Sequence, residues 1–356
     1  MIPTVHSTTW LALVLFSALL LCGGNPETGL NFPMHGRGDG EASSSLMIIG
    51  IRFVGPSAFD RRENAIGAIR CEIFARVTLP ALVKTIKSET APKKKWARLH
   101  VVLINDSAIL EPTCARVVAN SQRLLGDKLS FASSTRMYFS QSLATTLEDS
   151  DYVYFSRLDT DDAFLPSTPA AIHSAFAISG MPFAIISPYW GNLYYLPAGN
   201  DSCGEISYNT NLRRYPVLQT SAFHKRAFMD VMKLDKEADL EKFFSSSTGM
   251  RSLPYHYPHL DVEKPFEIFN GVNWTCSSIQ DCILNVNTWD VNGAPGIIYT
   301  QTGLQSSLVR RGWTQTDHLK WYSMFVKGAK DPPACQTLEY YGIDPRQIQE
   351  LRVMIA

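Results

Sequence analysis

The chain reads as an α/β protein with a mostly parallel sheet, and three observations predict it. Leu46 to Val54 is a nearly continuous apolar run, the pattern of a central strand buried on both faces. Helical spacing follows from Ala65 to Ser88, with apolar residues at Ile69, Ile73, Phe74, Val77, Leu82, Val83 and Ile86. A second short apolar run, Tyr152 to Phe155, leads within a few residues into Asp159, Asp161 and Asp162. Strand and helix alternating in this way give a parallel sheet, and ligands of such sheets bind at the carboxyl ends of the strands.

The other elements of the first half extend the alternation. Pro80 predicts a kink or a division into two helices within 65–88. Leu99 to Ile104 reads as the second strand, Ala115 to Leu125 as a helix, and Lys128 to Phe131 as a short third strand. Ser142 to Leu147 reads as a short helix before the acid-bearing strand. After Pro166, Thr168 to Ser179 reads as a helix, Phe183 to Ser187 as a strand and Ile297 to Thr300 as a late strand. Residues 331–356 read as a tail with a Pro-rich lead and a short helix.

The 356 residues suffice for one large domain, 45% hydrophobic and 19% charged, which is an ordinary globular composition. Lys plus Arg and Asp plus Glu both number 33, a formal net charge of +0 that argues against a nucleic-acid partner. The expected organisation is a signal peptide or signal anchor at 1–24, a flexible stem at 25–45, two halves at 46–165 and 166–330, and the tail at 331–356.

Chemistry concentrates in the acid cluster. Carboxylates at a strand end are costly to desolvate without a partner, so they need a cation. Clustered oxygens on a tight turn suit a hard divalent ion, Mn²⁺ or Mg²⁺. The words around the cluster add a resemblance. Arg157-Leu158-Asp159-Thr160-Asp161-Asp162-Ala163, placed after a strand, resembles the signature of a rhamnosyltransferase family of GT-A-type nucleotide-sugar glycosyltransferases. Ile51-Arg52-Phe53 is similar to that family's opening Arg-Phe strand, and Phe74 to Pro80 to its helix ending in Leu-Pro. Leu103 to Ser107 is similar to the second GT-A strand, which closes on an Asp. The likeness spans residues 46 to 165.

What the resemblance implies is specific. It implies a GT-A-like single domain, with a Rossmann-like nucleotide-binding sheet and a mixed acceptor half. Asp159, Asp161 and Asp162 would hold the metal. Arg157 and Asp159 would meet the donor's diphosphate, and Asp106 its base or ribose. The reaction would be inverting transfer of a sugar, rhamnose by the family's name, to a glycan acceptor. Many GT-A enzymes carry a metal-binding His after the late strand; here Gln301-Thr302-Gly303 follows, and His318 is the nearest alternative. An inverting reaction needs a carboxylate base. Asp290, at a turn beside Trp289, is the choice over Asp261, Glu263, Glu267 and Asp281. Two other readings stand beside this one: a phosphatase of the Asp-x-Asp-x-Thr type, whose Thr is missing here, and a secreted glycan-binding or catalytically degenerate relative of the transferases.

Several signals give a secretory address in the Golgi or ER lumen, or outside the cell. Trp10 to Cys22 is an apolar run of signal-peptide length that also suits a short membrane anchor. Beyond it lie six cysteines, of which Cys276 and Cys282 are the natural local pair, while Cys71 reads equally well as a buried thiol. Glycosylation acceptors begin at Asn105, Asn200 and Asn273; Asn105 would stand at the mouth of the nucleotide pocket and is expected to be unmodified. The aromatic stretch Trp190, Tyr194 and Tyr195 suits a core better than a sugar platform. His224-Lys225-Arg226 opens a helix that could meet diphosphate, though a solvated face suits it better.

Overall fold

The computed structural model describes residues 44–54, 61–89, 98–105, 112–132, 149–188, 190–197, 202–211, 217–254, 278–286, 296–302 and 333–355, with isolated positions between 263 and 320. From Ala42 onward the chain forms one compact unit. Its centre is a seven-stranded sheet. β1 (Ser45–Val54) lies between β2 (Arg98–Asn105) and β4 (Tyr152–Leu158), with β3 (Leu129–Ala132) beyond β2. On the far side of β4 come β9 (Gln219–His224), β6 (Phe183–Pro188) and β10 (Ile283–Val286). All pairings are parallel except those of β9, which runs antiparallel to both β4 and β6. The fold is therefore mixed α/β on a mostly parallel sheet.

Both sheet faces are buried, which explains the continuous apolar runs. One face sets Met47, Ile49, Ile51, Val101, Leu103, Tyr154 and Leu158 against α1 (Arg61–Ile73), α3 (Pro112–Leu125) and α4 (Ser167–Ser179). The other sets Leu46, Ile48, Val153, Phe155, Phe183 and Phe223 against Phe228 of α5 (Lys225–Met232) and Phe244 of α6 (Glu237–Ser245). The short α7 (Ser247–Arg251) follows and leads to the buried Leu253.

Pro80 acts as expected, with a particular geometry. Between α1 and α2 (Leu79–Glu89) the chain makes a π-helical turn, Phe74–Thr78, closed by the Leu79 N–H donating to the Phe74 carbonyl. Pro80 then falls in the first turn of α2, where its missing N–H costs no bond. Helix α4 ends on Gly180 at φ 65°, the left-handed conformation that glycine adopts without strain.

A smaller sheet packs beside the large one. β5 (Ala163–Phe164), β11 (Ile297–Gln301), β7 (Trp190–Tyr195) and β8 (Glu205–Asn211) lie in that order, with β11 and β7 parallel. Tyr194 and Tyr195 are buried in it, and the Tyr194 hydroxyl donates to the Cys203 carbonyl, so these aromatics are core. The C-terminal segment is no tail. α8 (Ala334–Tyr340) and α9 (Pro345–Ile355) bury Leu338, Tyr341, Ile348 and Leu351 against Ile73, Val77 and Ile298. Arg76 bridges Glu72 and Glu350, tying α9 back to α1. Cys203–Cys335 fastens the same junction, Cys71–Cys114 joins α1 to α3, and Cys276–Cys282 closes the expected local loop. Cys71 is thus bridged rather than a free thiol. No helix among the described residues is long and apolar enough to cross a membrane. The apolar run 10–22 and the expected helix at 142–147 lie outside the described residues.

Candidate active site

Strand order fixes where a ligand would sit. From β1 the chain moves outward to β2 and β3, then returns to place β4 on the other side of β1. The sheet order therefore reverses between β1 and β4, and the crevice at their carboxyl ends is the usual ligand position in such sheets. β4 delivers Arg157 and Asp159 to that crevice.

The acids form one tight turn. The Asp162 N–H donates to the Asp159 carbonyl at 3.3 Å, with Thr160 and Asp161 at the corner. Beyond the turn, β5 joins the small sheet through β11. The three carboxylates do different things. Asp159 is the most open, its side chain 39% exposed, and its Oδ1 accepts from both Nε and Nη2 of Arg157 at 3.1 Å. Asp161 is half-buried. Burial, and then the charge of Asp159, push its carboxyl up to about 7, while Arg70 at the end of α1 pulls the other way. Asp162 is 3% exposed and accepts from the Thr300 N–H of β11 at 2.9 Å. Its carbonyl accepts from the Thr78 hydroxyl at 2.8 Å. Burial, then the charges of Asp161 and Asp159, hold its carboxyl well above the usual carboxylate range.

Of the three acids expected to hold a metal, Asp162 is set apart by its burial. Asp162 anchors the turn to β11 and to the π-helical turn, so its carboxylate faces the junction of the two sheets. Among the described residues no group of three or more His, Cys, Asp or Glu side chains is placed to hold a metal ion. Asp159 and Asp161 are the two acids of the turn whose side chains are not fully buried. A carboxyl raised by burial and by a neighbouring carboxylate is one whose charge a cation could relieve.

Other expected residues fall elsewhere. Asp106, Asp290, His318, Asp261 and Glu267 lie outside the described residues, as do Asn200 and Asn273. Asn105 is the last residue of β2. Asp281 is exposed and accepts from the Ser278 hydroxyl at 3.0 Å, a turn residue next to the Cys276–Cys282 bridge. The basic run at His224 is at the wrong end of the sheet. His224 pairs with Tyr152, the first residue of β4, about 20 Å of strand from Asp159. Its Nδ1 accepts from the Ala227 N–H and caps α5.

Two polar groups near the acids carry no signal of their own in the sequence. Arg70 stands in a largely polar helix, where an arginine suggests a solvated position. Gln219 opens β9 directly across from Arg157. It is 1% exposed, and its Nε2 has no hydrogen-bond partner among the described residues. Such an orphan costs about 1–3 kcal/mol. Nothing local marks Gln219, because its importance depends on which strand lies beside it.

No family model and no curated protein matches this chain. Among solved structures, S. aureus TarS 1-349 is similar, at a TM-score of 0.34 and 11% identity, covering 83% of this chain and 70% of that one. The same protein in complex with UDP gives 0.33 and 9%, covering 87% and 90%. Its complex with UDP-GlcNAc gives 0.32 and 10%, covering 83% and 72%. At such identities and TM-scores the likeness assigns neither activity nor substrate to this chain.

Proposed function

We propose that this chain is a glycosyltransferase that binds a nucleoside-diphosphate sugar over the β1/β4 crevice and transfers the sugar to a glycan acceptor. The observation that carries the reading is the acid turn: Asp159 and Asp161 sit at the carboxyl end of β4, beside the strand-order reversal, with Arg157 on the same strand end. A divalent cation fits the two carboxylates, and when bound it would supply Lewis-acid neutralisation of a leaving diphosphate. Arg157 would hold Asp159 in place and set a guanidinium beside the phosphate oxygens. Asp162, Thr300 and Thr78 keep the turn rigid, so the carboxylates are pre-positioned. The sugar follows only from the family resemblance, which points to rhamnose. Three disulfides suit an oxidising compartment, in keeping with the secretory address read from the first residues.

A second reading has its own observation. Arg157 already meets Asp159, and the charge of Arg70 reaches Asp161, so guanidinium groups alone could receive the diphosphate in a binding protein without metal. Calorimetry with UDP, GDP and dTDP separates the two. The glycosyltransferase reading expects binding with Mn²⁺, its loss with chelator, and its loss in Asp159→Ala and Asp161→Ala. Unchanged affinity in chelator and in both variants overturns the metal site and leaves the guanidinium reading.

A further inference from the structure

The large sheet changes character along one of its faces. On the face that packs against α5 and α6, the first row of β4 is apolar, Leu46, Val153, Phe223 and Phe183, and the second is Ile48, Phe155, Ser221 and Ile185, where the buried Ser221 hydroxyl donates to the Ser252 carbonyl at 2.6 Å. The next row towards the carboxyl ends is Gly50, Arg157, Gln219 and Ser187. Gly50 pairs with Arg157, and Arg157 pairs with Gln219. Ser187 is one position beyond Ile186, the last residue of β6 paired with β9. Paired residues share a face, and side chains alternate along each strand, so this row lies on one side of the sheet. Gln219 is 1% exposed and Ser187 6%.

Buried polar groups need partners, as Ser221 has in the Ser252 carbonyl. Arg157 has Asp159. The Gln219 amide has none for Nε2 among the described residues, and turning the amide over only exchanges an orphan donor for an orphan acceptor. The chain also holds this residue in place by unusual means. Leu218, just before it, has φ 57°, a left-handed conformation that a branched residue rarely adopts. Full burial of the Leu218 side chain in the main core offsets that strain. Thr220, just after it, donates its hydroxyl to the Leu218 carbonyl at 2.8 Å. The amide is therefore presented on a rigid strand start.

We infer that Gln219 reads the sugar of the bound donor, its Nε2 donating to a sugar hydroxyl oxygen. The inference rests on the nucleotide-sugar reading above and names a determinant of specificity within it. Direction decides for sugar over nucleotide. The nucleotide occupies the crevice between β1 and β4, and the diphosphate the acid turn at the end of β4. β9 is the next strand beyond β4, one strand spacing or about 4.8 Å further from β1. The group that follows the diphosphate therefore lies over β9, where Gln219 is the residue paired with Arg157.

The test compares each nucleoside diphosphate with its sugar conjugate: UDP with UDP-N-acetylglucosamine, GDP with GDP-mannose and dTDP with dTDP-rhamnose, by calorimetry with and without Mn²⁺. In Gln219→Leu, and in Gln219→Met as a second apolar variant of similar length, affinity for the bound conjugate is expected to fall about tenfold or more. Affinity for the parent diphosphate is expected to stay within about twofold. Both variants are expected to melt no lower than the natural chain, since they remove an orphan from the interior; an internal hydrogen-bonding role would lower the melting temperature instead. Equal affinities for the conjugate in variants and natural chain overturn the sugar-reading role alone, as does a parallel loss for diphosphate and conjugate. If the natural chain binds no diphosphate and no conjugate in either condition, the nucleotide-sugar reading falls and this inference with it.

Discussion

At the first residues of β4, Tyr152 packs edge-on against His173 and Phe176, and the Tyr154 hydroxyl lies 2.6 Å from His173 Nδ1. His224 packs at a tilt against Tyr152 and uses its Nδ1 to cap α5. At the last residues of the same strand, Arg157 and Asp159 are followed by two further carboxylates, and an amide across the ladder has a donor that finds no partner among the described residues. Seven residues of one strand thus separate an end whose polar atoms answer one another from an end that gathers charge. The first arrangement needs nothing from outside the chain. The second is tolerable only because the rest of the sheet holds it, and such local cost is what binding sites concentrate.

Breaking the charged end gives the largest expected effect. Asp161→Ala and Asp159→Ala should each reduce metal-dependent turnover of the accepted nucleotide sugar by about 10²-fold or more, consistent with losing a preorganised electrostatic contact. Steady-state assays check this, and Tyr154→Phe is the control from the other end. That variant should leave turnover per folded molecule unchanged while costing about 1–3 kcal/mol in urea unfolding, because His173 Nδ1 is left buried without its partner.

The pH dependence sharpens the contrast, since the two ends respond with opposite signs. Asp161 has its carboxyl raised from 3.8 to about 7. The folded state then binds more protons than the unfolded state across that window. Its contribution is present below pH 3.8 and is lost as pH rises through about 7. Burial lowers His173 and His224 below their ordinary 6.5, so their contribution is present above that value and is lost as pH falls. Asp161→Asn should therefore melt higher than the natural chain at pH 8 without ligand, by a difference that shrinks towards pH 4. The gain is on the order of 1–2 kcal/mol once solvent screening of this half-buried carboxylate is allowed for, a tenfold change in proton affinity being worth about 1.4 kcal/mol. Melting curves in chelator across that range measure it, and a constant difference at all pH values would place the unfavourable charge elsewhere.

The smallest effect is the most discriminating about location. Lys225→Ala and Arg226→Ala alter the basic run at the opposite end of the strand pair. They should leave nucleoside-diphosphate affinity within about twofold, as expected for charges far beyond a Debye length of roughly 8 Å. A loss comparable to that of Arg157→Ala would move the anion site to the opposite edge of the sheet.

The alternating strands and helices, the break near Pro80, the Cys276–Cys282 pair and the acid turn after Tyr152–Phe155 were all determined by the sequence itself. Each is a local pattern: period, turn chemistry or loop length is written in neighbouring residues. Tertiary structure alone decided what those residues meet. Asp162 looks like its neighbours Asp159 and Asp161 along the chain, yet the Thr300 N–H, contributed from β11, claims its carboxylate. His224-Lys225-Arg226 has a composition suited to an anion site, but the antiparallel register of β9 carries it to the far end of β4. Cys71 found Cys114, and the C-terminal helices found the small sheet, through contacts between distant segments. Gln219 is the clearest case, an ordinary strand residue until β9 is placed beside β4 with Arg157 opposite it. Strand register between segments far apart in sequence depends on the packing of the whole sheet, and no window of neighbouring residues encodes it.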